Sequence, residues 1–229
     1  MPHRPLLTAS VLLVLATAHS TSVPSIKAEL RLAAARAQRG FSASPSERAT
    51  LQQLAANLEA SAALDPSFSP TDSPLLPGKW VLDFTDAADV LSLPLAPLPF
   101  DIGDVYQEIE TAADGSSFAV SNAVEVLPPG SGLLSAIANT RPAGLYAVEA
   151  VCRPLDAKRV SLLFVGASLQ PVSEPFALPA LRAALPSPVQ SWLQGLVGER
   201  VFLETSFLDE DLRIGRGPGR ELYVLSKRR

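Results

Sequence analysis

The chain has 229 residues, 47% hydrophobic and 18% charged, enough apolar material for one folded domain with its own core and too much for a wholly disordered polymer. Nineteen basic against 23 acidic side chains leave a net charge of −4, which offers no overall basic face for a nucleic-acid duplex. The two histidines, His3 and His19, lie at the extreme N-terminus and Cys152 is the single cysteine, so Ser-His-Asp, Cys-His and His-rich zinc constellations and an internal disulfide are excluded.

Arg4 precedes an uncharged stretch from Leu6 to Ala18, too short for a spanning helix, which needs about 20 residues. Ala16-Thr17-Ala18 has the form of a cleavage site, so residues 1–18 are expected to be a secretory-type leader, with a weak amphipathic or mitochondrial-type leader as the alternative. Residues 19–40 read as a transit-like segment overlapping a first helix. Through Ser46, Glu29 stands alone against Arg4, Lys27, Arg31, Arg36 and Arg39, an acid-poor and Arg-rich composition. The two together predict two-step import into an organelle with extra membranes, and a lone cysteine suits an organelle interior better than secretion.

Ser25 is placed to cap a helix through Arg39, with Ile26, Leu30, Ala34 and Ala37 at helical spacing and Gly40 just past the end. A second helix lies within 41–64. Ser44 is its N-cap, Pro45 its first residue and Glu47 the third, while Leu51, Leu54, Ala55 and Leu58 share a face. Residues 65–77 hold four prolines and read as a linker.

From Gly78 the period changes to two. Strands are expected at 79–85, 104–111, 117–127, 144–153, 158–169, 200–208, 211–215 and 221–227. Asp114-Gly115, Pro128-Pro129-Gly130, Asp156-Ala157 and Gly217-Pro218-Gly219 mark turns between them. Eight consecutive strands of this kind predict a mainly β fold, a meandering antiparallel barrel over 78–229. Ser187-Pro188 opens a short helix before strand six, carrying Trp192, Leu193 and Leu196 and able to close one end.

Alternation sorts the faces. Trp80, Leu82 and Phe84 share parity and are placed inside, as are Phe118, Val120, Asn122 and Val124 on strand three and Val160, Leu162 and Phe164 on strand five. Val105 and Gln107 share one face of strand two, Tyr106 and Glu108 the other. Arg216 shares parity with Leu212 and Ile214, so it is expected inward on the Trp80 ring as a cation–π lid, with Arg213 outward. An apolar lumen with one polar group such as Asn122 suits a long isoprenoid, and the residues expected against it are Trp80, Leu82, Phe84, Phe118, Val120, Asn122, Val124, Leu162 and Phe164. A filled core of the same residues reads identically.

The acidic candidates are weaker. Asp209-Glu210-Asp211 alternate in direction on a tight turn and do not converge on one ion, so a solvated turn pairing Arg213 or Lys227 is expected. Glu204 and Asp209 are the best acid pair available and have no visible reaction site. Gly215-x-Gly217-x-Gly219 lacks the helix a phosphate loop requires. The expectation is no enzyme, no metal and no cofactor.

Gly78-Lys79-Trp80 opening the first strand resembles the lipocalin G-x-W signature. Val105-Tyr106-Gln107-Glu108-Ile109, Ser121-Asn122-Ala123-Val124-Glu125, Val148-Glu149-Ala150, Lys158-Arg159-Val160 and the block from Glu204 to Gly217 with Leu222-Tyr223-Val224-Leu225 follow in order. The set resembles the plastid lipid-associated protein family, or fibrillins, from about Ile26 to Lys227. Ser206-Phe207 stands where the family has Thr-Tyr, and the 86–103 loop with Pro94, Pro97 and Pro99 follows no family pattern. The resemblance implies an eight-stranded lipocalin-like barrel in a plastid, associated with thylakoids or plastoglobules. It also implies binding or shielding of an apolar lipid or pigment such as a carotenoid or prenylquinone, and no nucleic-acid partner. Two rivals accompany it: a coat protein with a filled barrel lying on lipid through the helical hairpin or the Trp192 helix, and a docking partner of an isoprenoid-metabolism enzyme.

Overall fold

The computed structural model describes residues 22–91, 101–113, 115–131, 142–171, 181–184 and 202–228. The leader 1–18 and the expected Trp192 helix lie outside them. Two helices come first, α1 (Val23–Arg36) and α2 (Pro45–Ala63), joined by a tight turn. α1 begins two residues before Ser25, with Ser22 in the N-cap position. At α2 the capping box forms as expected. The Ser44 hydroxyl accepts from the Glu47 amide at 3.3 Å, and the Glu47 carboxylate accepts from the Ser44 amide at 2.8 Å.

Nine strands follow: β1 (Gly78–Thr85), β2 (Asp101–Thr111), β3 (Phe118–Leu127), β4 (Gly144–Pro154), β5 (Arg159–Pro171), β6 (Leu181–Ala184), β7 (Phe202–Leu208), β8 (Leu212–Arg216) and β9 (Leu222–Arg228). A one-turn helix, α3 (Ala88–Leu91), follows β1. The sheet order β4-β3-β2-β1-β9-β8-β7-β5, with β5 pairing back to β4, makes a ring of eight antiparallel strands. This is the expected meander, closed by β9 against β1. The short β6 is additional and pairs with the second half of β5 at Gly166 to Leu169.

The hairpin lies across the outer face of the ring. Ile26, Leu30, Ala34, Leu51, Ala55 and Leu58 are buried with Phe84, Phe207, Leu212, Ile214, Leu222 and Val224. Each fully buried leucine contributes about 2 kcal/mol there. A second cluster fills the inside, with Trp80, Leu82, Ile109, Phe118, Val120, Cys152 and Leu225 at its centre. β8 is therefore covered on both sides, and all five of its residues are buried.

The turn between the helices needs glycine. Gly40 sits at φ +101°, and a Cβ there would stand 2.0 Å from the Thr85 carbonyl oxygen. Arg39 pairs with Phe84 at that point, which ties the turn to the end of β1. The Pro-rich segment 65–77 carries a 3₁₀ turn at Pro70–Asp72 and caps one end of the ring. Thr71 donates to the Asp156 carbonyl at 3.0 Å, and Leu76 joins the inner cluster.

Candidate functional site

The inner face is read from the ladder. Trp80 pairs with Gln107, Gln107 with Asn122, Asn122 with Val148 and Val148 with Ala167, so these five share one face around half of the ring. Trp80 is fully buried and its indole N–H donates to the Leu76 carbonyl at 2.8 Å. Two cations approach its ring, the Arg213 guanidinium at 5.1 Å and the Lys227 ammonium at 5.0 Å. Lys227 also donates to the Leu75 carbonyl at 2.7 Å. Arg213 donates to Gln107 Oε1 at 2.5 Å, and Gln107 Nε2 donates to Asn122 Oδ1 at 2.7 Å. A polar chain of cation and two amides thus crosses a largely apolar interior, with Thr71, Thr205 and Lys227 as further polar residues beside it.

Arg213, not Arg216, is the lid on Trp80. Arg216 faces outward, where Nε and Nη2 grip the two Glu59 oxygens of α2 at 2.7 and 3.1 Å and Nη1 donates to Gln52 at 2.7 Å. Alternation alone places Leu212 and Ile214 inward because they are apolar. They point outward because the hairpin covers that face, and a strand buried on both sides carries no alternation to read. Phe84 is corrected for a related reason. A register shift between Leu82 and Phe84 in the β1–β9 pairing turns Phe84 to the hairpin side, away from Trp80 and Leu82.

The remaining expected lining residues share the inner side. Leu82, Phe118 and Val120 are buried in the inner cluster, and Leu162 and Phe164 pack half-buried against it. Asn122 and Val124 share the Gln107–Val105 face by register. Leu162, Phe118, Cys152 and Thr71 line a cavity beside Arg213 of about 20 Å³, room for about one water. Toward the opposite end the wall is half-buried at Val105, Val124, Val148 and Phe164, and Tyr146, paired with Val124, is exposed. Gln107, Arg213, Lys227 and the floor residues Thr71 and Leu76 were not among the expected site residues. Lys227 was legible, since it shares parity with Leu225 and Tyr223.

Burial governs the titratable groups here. It pushes Arg213 down to about 9 against a small opposing effect of Cys152, so the guanidinium stays charged at neutral pH. Burial pushes the Cys152 thiol up to about 12, with Arg213 pulling the other way. Burial and the Arg213 charge both lower Lys227.

The acids are engaged elsewhere. Asp209 and Asp211 bind Lys27 of α1, and Asp211 also binds Arg31, so the run docks the hairpin rather than pairing Arg213 or Lys227. Burial alone would lower Lys27, but the hydrogen bonds and charges of the two aspartates outweigh it and raise it. Glu204 pairs with Arg220 at 3.6 Å, so it and Asp209 are held by different partners. Among the described residues no group of acidic, His or Cys side chains is placed to hold a metal ion, and no helix is long and apolar enough to cross a membrane.

The family model PAP_fibrillin matches residues 25–226. The chain is 29% identical over 212 residues to a probable plastid-lipid-associated protein 3, chloroplastic, of Oryza sativa subsp. japonica, covering 82% of this chain and 54% of that protein. It is 29% identical over 228 residues to a probable plastid-lipid-associated protein 1, chloroplastic, of Arabidopsis thaliana, covering 82% and 64%. A plastid lipid-associated protein 3, chloroplastic, of Brassica campestris is 29% identical over 213 residues, covering 82% and 56%. The chain thus spans between about half and two thirds of these relatives' length.

Proposed function

The chain belongs to the PAP_fibrillin family, and from that membership we propose that it is a non-enzymatic plastid protein that holds or shields an apolar isoprenoid lipid, a carotenoid or prenylquinone, at thylakoids or plastoglobules. The observation that carries this reading is the inner wall. It is apolar from Phe118 and Val120 through Val105, Val124 and Phe164, half-buried toward the end opposite Leu76, and interrupted by one chain of amides on Arg213. Each 100 Å² of apolar contact on such a wall contributes about 2.5 kcal/mol. The cavity beside Arg213 has room for about one water, so a prenyl or polyene chain lies above the floor. The relatives' names, plastid-lipid-associated and chloroplastic, support the compartment and the ligand class.

For the coat reading, the hairpin's buried stripe is spent on the barrel, and Leu32, Phe41 and Leu64 are the exposed apolar residues it would present to lipid. The test is titration of the protein with a plastoquinone analogue and a carotenoid, following tryptophan fluorescence with and without liposomes and in a Trp192→Phe variant. Saturable quenching in lipid-free solution, retained in the variant, supports the lumenal site. Quenching or co-sedimentation only with liposomes refutes it and leaves the coat.

A further inference from the structure

β8 carries two arginines of nearly equal burial, Arg213 at 1% and Arg216 at 4% exposure, on opposite faces of one strand. Arg216 has a full counter-charge, the Glu59 carboxylate held by a two-pronged grip. Arg213 has none. Its described partners are the neutral Gln107 carbonyl and the face of Trp80, and its Nε–H is buried without a hydrogen-bond partner. Lys227 adds a second cation over the same ring, bonded to a backbone carbonyl. Among the described residues that line the cavity there is no carboxylate. Of the acids nearest in the chain, Asp209 and Asp211 are bound to α1 on the outside and Glu210 is exposed.

A buried cation without an anion is costly, and the fold has put one against a cavity instead of a carboxylate. We propose that Arg213 is the headgroup site for an anionic amphiphile, a free long-chain carboxylate, whose carboxylate takes on the inner face the place that Glu59 holds for Arg216 on the outer one. This rests on the lumenal reading above and narrows its ligand from neutral lipids to acidic ones. The cavity beside Arg213, about 20 Å³, is too small for a bulky phosphate ester and takes at most one carboxylate oxygen in the place of a water. The wall leading from it, through Val105 and Phe164 of the same cluster, suits an alkyl or polyene tail. A carboxylate also matches the planar guanidinium fork better than a single carbonyl does.

The test compares cis-parinaric acid with its methyl ester, two probes with one tail and one difference in charge, on the full chain in lipid-free buffer. Binding is followed by probe fluorescence and by energy transfer from tryptophan. The acid should bind at least about tenfold more tightly than the ester, a difference of about 1.4 kcal/mol, and should raise the unfolding temperature more at equal concentration. Arg213→Met should bring acid and ester to within about twofold of each other, and Arg213→Lys should retain the preference. Equal affinity of acid and ester for the wild-type chain overturns the proposal and leaves the lumenal reading standing. Survival of the preference in Arg213→Met also overturns it. Binding of neither probe overturns both. The wild-type comparison needs no variant, so a failure of Arg213→Met to fold does not spare the proposal.

Discussion

Replacing Glu59 with glutamine removes the counter-charge of Arg216 without changing its shape. Arg216 is 4% exposed and makes hydrogen bonds of 2.7 and 3.1 Å to the two Glu59 oxygens, while Ser206 donates to Glu59 at 2.6 Å. Hydrogen bonds to charged groups contribute about 1.5–3 kcal/mol each. The amide keeps one acceptor and turns its other end into a donor facing the guanidinium, so one bond and the ionic attraction are lost together. Glu59 is partly exposed, which places the cost at the low end for a broken buried pair, about 3 kcal/mol. Urea unfolding near pH 7 of wild type, Glu59→Gln, Arg216→Met and the double variant measures it. The double variant should be more stable than the sum of the two single losses by about 2 kcal/mol. The pH dependence supplies a second check. Burial alone would raise the Glu59 pKa, but the Arg216 and Ser206 hydrogen bonds outweigh it and hold it below the ordinary 4.5. A depressed carboxylate stabilises the fold above its unfolded pKa and loses that contribution as pH falls through the folded value. The Glu59→Gln penalty should therefore shrink in acid, where the wild-type carboxylate is itself neutral. A penalty below about 1 kcal/mol near neutral pH, or one that persists undiminished in acid, refutes the reasoning.

Gly40→Ala should cost about 2–3 kcal/mol in thermal unfolding, because the new Cβ meets the Thr85 carbonyl at 2.0 Å as well as the strain of φ +101°. Gly115→Ala, with φ +67° and open space around its Cβ, should cost about 1 kcal/mol, and equal losses at the two sites would show that the contact is irrelevant. Trp80→Ala should cost about 4 kcal/mol in urea, since it empties the centre of the inner cluster and strips the ring from Arg213 and Lys227. A loss under about 1 kcal/mol would place Trp80 outside the core. The Cys152 thiol, buried and raised to about 12, should resist an aromatic disulfide reagent at neutral pH until the chain unfolds. Equal rates in native and denatured protein would contradict its burial.

The amino-acid sequence by itself determined the parts of this protein that rest on local physics. Ser44, Pro45 and Glu47 specify the start of α2 by hydrogen bonds within one turn. The period-two runs specify the strands, because alternation holds wherever one face is apolar and the other is not. The ordered motifs from Gly78-Lys79-Trp80 to Leu222-Tyr223-Val224-Leu225 specify the family. Tertiary structure decided the site. Parity failed at Arg213 and Arg216 because the hairpin, far away in sequence, buries the outer face of β8 and removes the contrast between its two sides. It failed at Phe84 because a register shift in β1 exchanges the faces midway along the strand, and a shift of one residue leaves no trace in composition. The prolines of 65–77 marked a linker by their local stiffness, yet Thr71 became part of the floor only because ring closure brings Asp156 to it, whereas Leu76 reaches Trp80 locally. The acidic run found Lys27 and Arg31, more than 170 residues earlier, rather than the basic residues beside it in the chain. Which cations are paired and which face the lumen is a property of three-dimensional neighbours, and charge, unlike helix capping, is satisfied by whatever the fold brings near.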